Sequence, residues 1–257
     1  MARTILRRTI VVTLVTVLAV PTLASAQFDR TVFAELFSFL SEPFSPDARQ
    51  ALAQLESVYA PEFLWVDWHL IQALSNPDAL ARSNYYGGIS AAPTVFFDGT
   101  DPVVGAGSLI YEIYEEVFFA HQGTAPVVVT STVSFSEASR TGSIQVDVIG
   151  TPPGPLQLRA VIFEDDVLAP GPAQSIFDHI VRAMVIDEPW TGAPVTAFFS
   201  LDDPGADPPW GPAANFGAIA WVQNDASQLI PNATRAVVHD PVSVQASSWG
   251  AVKSLYR

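Results

Sequence analysis

The sequence predicts an α/β unit, a mixed sheet flanked by helices, followed by an all-β sandwich. Three observations predict it. Up to Gln122, short apolar runs alternate with segments of helical period that open on proline-bearing starts. From Val127 onward, residues alternate apolar and polar between glycine and proline turns. Between the two lies Gly123-Thr124-Ala125-Pro126, a break in character with strong turn residues. The expected units are therefore 27–123 and 124–240, with a distinct C-terminal tail over 241–257.

The first half resolves into seven elements. Thr31 to Leu40 is an apolar strand, and Ser45-Pro46-Asp47 opens a helix reaching Tyr59 with Ala48, Leu52, Leu55 and Val58 on one face. Phe63 to Leu70 is a second buried strand. Asn76-Pro77-Asp78 starts the next helix, Asn76 as N-cap and Pro77 in the first turn. Thr94 to Phe97 and Pro102 to Val104 form two strands around an Asp98-Gly99 turn. Gly107 to Gln122 completes the unit as a helix with a Leu109, Ile113, Val117 stripe. The order β-α-β-α-β-β-α calls for a mixed sheet with helices on its faces.

The second half offers seven strand segments. They are Val127–Phe135, Ser143–Ile149, Leu156–Phe163, His179–Ile186, Val195–Leu201, Phe216–Gln223 and Arg235–Val238. Seven short strands with regular turns indicate a sandwich of immunoglobulin-like type. Beyond it, Val252, Leu255 and Tyr256 could share one helical face of the tail.

Residues 1–26 form a processing signal. Arg3, Arg7 and Arg8 precede an apolar run from Thr9 to Val20, and Ala24-Ser25-Ala26 supplies the small-residue cleavage pattern. The run is shorter than the roughly 20 residues of a membrane span. Cleavage near Ala26/Gln27 would release an extracytoplasmic protein, periplasmic or secreted, with no transmembrane segment. Losing three arginines and no acids leaves nine cations against 26 acids, a formal charge of −17. Such a chain repels phosphate backbones, which excludes nucleic acid as a partner. It contains no cysteine. That absence excludes thiol–disulfide chemistry and leaves stability to the packed core.

Two segments carry a family resemblance. One is Asn76-Pro77-Asp78, Tyr85-Tyr86-Gly87, then Ala91-Ala92-Pro93-Thr94-Val95-Phe96-Phe97-Asp98-Gly99. The other is Phe33 to Ala48, a strand running into a helix start. Together they resemble the thioredoxin-like superfamily, in particular an exported branch with a C-terminal immunoglobulin-like sandwich, of the outer-membrane-lipoprotein type. The resemblance covers residues 31–122. Where that family carries its Cys-x-x-Cys, this chain reads Ser41-Glu42-Pro43-Phe44. The resemblance implies a cis Pro93 beside that loop, with the Ala92 backbone open to an extended peptide by strand addition. The candidate binding groove is thus Ser41, Glu42, Pro43, Phe44, Ala92, Pro93 and Thr94.

A polar cluster, Asp67 and His69, alternates on the second strand. With Ser41 it contains the residue types of a Ser-His-Asp hydrolase, although no Gly-x-Ser-x-Gly elbow surrounds the serine. His69 with Asp67, and His179 with Asp178, lack a recognised metal-ligand spacing, and no metal or cofactor is expected. Asp165-Asp166 and Asp202-Asp203…Asp207 read as solvated acidic turns, with extracytoplasmic calcium loops as the alternative. His121 near a helix C-terminus suits the helix dipole. The leading expectation is a redox-inactive binding or scaffold module for an extracytoplasmic protein or peptide. An enzyme with hydrolytic chemistry at the former redox site and a structural envelope component are the alternatives.

Overall fold

The computed structural model describes residues 27–238 except 153, 172–173 and 204–205. The signal segment, His239 and the tail at 241–257 lie outside the described residues.

In chain order the strands and helices are β1 (Phe28–Asp29), β2 (Val32–Ser38), α1 (Ser45–Tyr59), β3 (Phe63–His69), α2 (Pro77–Tyr85), β4 (Thr94–Phe97), β5 (Asp101–Val104), α3 (Ile110–His121), β6 (Thr124–Ala125), β7 (Val127–Ser136) and β8 (Thr141–Gly150). There follow β9 (Gln157–Glu164), β10 (Val167–Leu168), β11 (Ile176–Phe177), β12 (Ile180–Pro189), β13 (Val195–Ser200), β14 (Phe216–Gln223), β15 (Asn232–Arg235) and β16 (Val237–Val238). The architecture is mixed α/β, dominated by sheets and carrying three α-helices among the described residues.

Local chemistry explains the helix starts. Asn76 Oδ1 accepts from the Ala79 amide at 2.9 Å, and Pro77 occupies the first turn of α2. Pro46 does the same for α1. The stripe expected on α3 is corrected by one position. Leu109 and Ile113 are exposed, and Ile110, Tyr114 and Phe118 turn inward. Both sets have helical spacing. The aromatic set fills the space against Tyr59, Phe63 and Phe97 that smaller aliphatics would leave open.

The first sheet runs β15-β14-β9-β12-β3-β2-β4-β5, and a second of four strands runs β13-β8-β7-β16. β2 and β3 are parallel and in register from Val32↔Phe63 to Ser38↔His69. β4 is antiparallel to β2, pairing Thr94 with Phe37. Strands from before and after residue 124 meet where β12 lies parallel to β3 at Ile180↔Asp67. The Asp67 amide donates to the His179 carbonyl there, at 2.8 Å.

Three large cores sit between these layers. Ala34, Leu36, Leu52, Phe63 and Val95 pack under α1 and α3. Val127, Val146, Leu158, Ile162 and Val222 fill the space between the two sheets. The third core joins Phe33, Phe37, Val66 and Trp68 to Val161, Phe163, Ile219 and Trp221. The break at 123–126 therefore separates stretches of chain, whereas this core is common to both. Gly99 marks how close the halves come. Its φ is +76°, and a Cβ there would lie 2.1 Å from the Gln228 carbonyl oxygen.

Phe33 and Trp221 have ring centroids 5.0 Å apart, and both are fully buried. Phe33→Ala is expected to cost about 3–5 kcal/mol in chemical denaturation. Because that core is shared, fluorescence of Trp68 and Trp221 should report one common transition.

Candidate functional site

β2 and β3 deliver their C-terminal residues to one end of the sheet, and the antiparallel β4 begins there. The 41–44 loop and the 92–94 turn consequently lie at the same end. Ser41 and Pro43 are exposed, and Phe44 is 52% exposed. Glu42 has a structural task. Its Oε2 accepts from the Phe44 amide (2.9 Å), the Ser45 amide (2.6 Å) and Ser45 Oγ (3.0 Å). It thereby satisfies α1 donors that Phe44, at the N-cap position, has no side-chain acceptor to meet.

The Ala92–Pro93 bond is cis. Thr94 is buried, its Oγ1 donating to the Ala91 carbonyl at 2.7 Å. The Pro93 carbonyl accepts from the Gly105 amide at 2.7 Å, tying the turn to the loop ahead of α3. Among the described residues, no backbone hydrogen bond holds Ala92. Beyond that loop, Val104, Leu109 and Ile113 line an apolar groove of about 290 Å³. A second hollow of about 220 Å³ continues from Gly107 and Ser108 to Asp47 and Gln50 on α1.

Asp67 and His69 are fully buried, and the serine that meets them is Ser38, which ends β2. Ser38 Oγ donates to Asp67 Oδ1 at 2.5 Å and lies 3.0 Å from His69 Nδ1. Arg49 closes the cluster, with Nε 2.6 Å from Asp67 Oδ2 and Nη2 2.7 Å from Ser38 Oγ. The proton inventory then fixes the imidazole. Ser38 gives its single proton to the carboxylate, so His69 Nδ1 must carry hydrogen and donate to Ser38. Nε2 is left a bare, buried acceptor without a partner. Burial lowers the His69 pKa to about 4, with Arg49 adding to that and Asp67 opposing it.

This differs from a hydrolytic triad in two respects. The carboxylate orients the serine, whereas a triad carboxylate orients the imidazole; the His69 Nδ1 to Asp67 Oδ1 separation is 3.9 Å. In addition, all three side chains are sealed from solvent. The cluster can hold the ends of β2, β3 and α1 together, but no substrate reaches Ser38 in this arrangement.

The other two described histidines also find carboxylates. His121, in the last turn of α3 as expected, has Nδ1 3.0 Å from Asp98 Oδ2 and Nε2 2.8 Å from Asp101 Oδ2. Its pKa is raised, chiefly by the Asp98 hydrogen bond. His179 stacks between Trp65 and Phe163, at 4.5 and 5.0 Å, and sits 3.2 Å from Glu56. Asp178 turns elsewhere, accepting from the Asp166 amide. Among the described residues no group of three acidic or histidine side chains forms a metal cage.

Sequence reasoning missed Ser38, Glu35 and Arg82. Glu35 accepts bidentately from Arg82 at 2.7 Å and from Trp68 Nε1 at 2.9 Å. The signal was a lone acid in the apolar run Val-Phe-Ala-Glu-Leu-Phe, which needs a buried cation somewhere in the fold.

Similarity to known proteins is structural. No family model and no curated protein matches the chain. HBP35 of Porphyromonas gingivalis superimposes with a TM-score of 0.65 at 18% identity, covering 85% of this chain and 79% of that one. Protein AGR_C_4864 from Agrobacterium tumefaciens gives 0.55 at 19% identity, covering 82% and 96%. At these identities the likeness shows a shared fold alone. Among the described residues no helix is long and apolar enough to cross a membrane.

Two pH effects of opposite sign follow. The unfolded chain protonates His69 near pH 6.5, and the folded one only near 4. Stability should therefore fall on acidification through that window, by up to about 3 kcal/mol, at 1.36 kcal/mol per unit of pKa shift. His69→Gln should flatten the dependence. The raised pKa of His121 means its contribution is present below pH 6.5 and lost as pH rises through the folded-state value. His121→Gln should remove that alkaline decline. Denaturant midpoints at a series of pH values measure both.

Proposed function

We propose that this chain is an exported, thiol-free binding or scaffold module that holds an extended segment of an extracytoplasmic protein. In this reading residues 27–123 keep a thioredoxin-like fold, residues 124–240 an immunoglobulin-like sandwich, and the signal is cleaved near Ala26. The segment pairs with the free Ala92 backbone and lays apolar side chains along Val104, Leu109 and Ile113.

The observation that carries this proposal is a contrast in access. The serine, aspartate and histidine that meet at this end of the sheet, Ser38, Asp67 and His69, are fully buried. The groove beside the turn is lined by exposed apolar side chains: Leu109 is 63% exposed and Val104 62%. A sealed polar cluster beside an open apolar groove supports binding over turnover. The chain's net charge of −14 favours a segment with basic residues among its apolar ones.

Titration of mature chain 27–257 into fluorescent peptides alternating apolar and basic residues tests this. Saturable binding is expected, weakened at least tenfold by Leu109→Asp or Ile113→Asp without a change in thermal midpoint. Both sites are exposed enough that folding should tolerate the change. Unaltered affinity in both variants would move the contact away from the groove. Ester turnover abolished by Ser38→Ala would instead favour the hydrolytic alternative.

A further inference from the structure

Sheet edges leave unpaired amide and carbonyl groups, and folded proteins guard them with charge, proline or brevity. Most edges here are guarded. β5 begins with Asp101-Pro102, β15 ends on Arg235, and β16 has two residues. β13 is different. It is the outer strand of the four-stranded sheet, six residues long, and reads Val-Thr-Ala-Phe-Phe-Ser. It holds no charge, no proline and no bulge against β8. Among the described residues, no backbone group of 195–199 bonds to anything beyond β8. Phe198 stands on this strand at 83% exposure, the highest of the large apolar side chains.

The rows beside Phe198 carry no charge, and Asp147 is the nearest carboxylate on that face of β8. Thr196 lies in row with Gln145 and Thr132, Phe198 with Ser143 and Ser134, and Ser200 with Thr141 and Ser136. In a chain of net charge −14, two copies repel each other over most of their surface. This face and edge are where they can approach.

We propose that β13 pairs antiparallel with β13 of a second copy about a two-fold axis, joining the two four-stranded sheets into one of eight strands. The pleat restricts the register. Outward-facing backbone groups alternate along a strand, so only registers that pair residues of like facing can form the ladder. The register centred on Phe198 sets the two exposed rings opposite each other, at cross-strand contact distance. It places the Thr196 hydroxyl across from Ser200 and small Ala197 across from Phe199. Asp202 falls opposite Pro194, so no carboxylate opposes another. The contact is isologous and closes as a dimer. It does not depend on the groove beside Ala92, which lies on the other sheet.

The cysteine-free chain permits a register test by single substitution. Mature chain 27–257 should sediment as a concentration-dependent dimer, tighter as added salt screens the acidic surfaces. Phe198→Lys puts like charges face to face and should weaken dimerisation at least tenfold, with an unchanged melting temperature at concentrations where both chains are monomeric. Under mild oxidation Phe198→Cys should form a disulfide-linked homodimer. Thr196→Cys should not do so alone, but should cross-link when mixed with Ser200→Cys. A monomer at all concentrations would overturn the proposal. A dimer that survives Phe198→Lys, or that links Thr196→Cys to itself, would overturn it equally.

Discussion

Glu35 lies in the middle of β2 with no exposure to water. A lone carboxylate there would cost several kcal/mol, more than most single contacts return. Its burial is tolerable only because Arg82 meets it with two hydrogen bonds, and Trp68 and Tyr86 donate as well. Arg82 also reaches Gln223 Oε1 at 2.7 Å, and Arg159 donates to the same oxygen at 2.8 Å. One buried charge thus fixes α2 against β2 and ties both to β9 and β14. The burial of that face, including the Phe33–Trp221 contact, follows from this constraint.

The same logic recurs at both ends of the sheet. At the ends of β2 and β3, Asp67 is buried and held by Arg49 and Ser38. Asp98, buried in the turn after β4, is met by Arg30 at 2.5 Å, by His121 and by the Phe33 amide. Each acid sits where a strand must be anchored to another element. With 15% charged residues the chain has few cations, and many of those described are spent on buried acids. The surface that remains is acidic, and its apolar or uncharged stretches stand out as places for contact.

The loop at 41–44 is consistent with this economy. Glu42 turns its carboxylate onto the start of α1, so the segment caps a helix. The buried cluster of Ser38, Asp67 and His69 has a proton pattern fixed by its own bonds. The loop region exposes Ser41, Pro43 and Phe44.

Much of the fold was legible from local chemistry. The alternation in β7 and β8, the capped start at Asn76, and the Asp98-Gly99 turn each depend on residues close in sequence. Glu35 in an apolar strand was a signal that sequence reasoning passed over, and its partner lay beyond local chemistry. The face of α3 could not be chosen from periodicity, because Leu109-Ile113-Val117 and Ile110-Tyr114-Phe118 satisfy the same spacing. Only the space left beside Tyr59 and Phe97 decides between them. Likewise Ser38 and Ser41 both follow the strand pattern, and strand register alone sets Ser38 opposite His69. By itself, the sequence determined the elements, the acidic cysteine-free character and the absence of thiol chemistry, since these are properties of residues and their near neighbours. Tertiary structure decided which acid met which cation, which serine met Asp67, and that one core spans residue 124. Those depend on contacts between residues dozens to hundreds of positions apart, where no local preference discriminates.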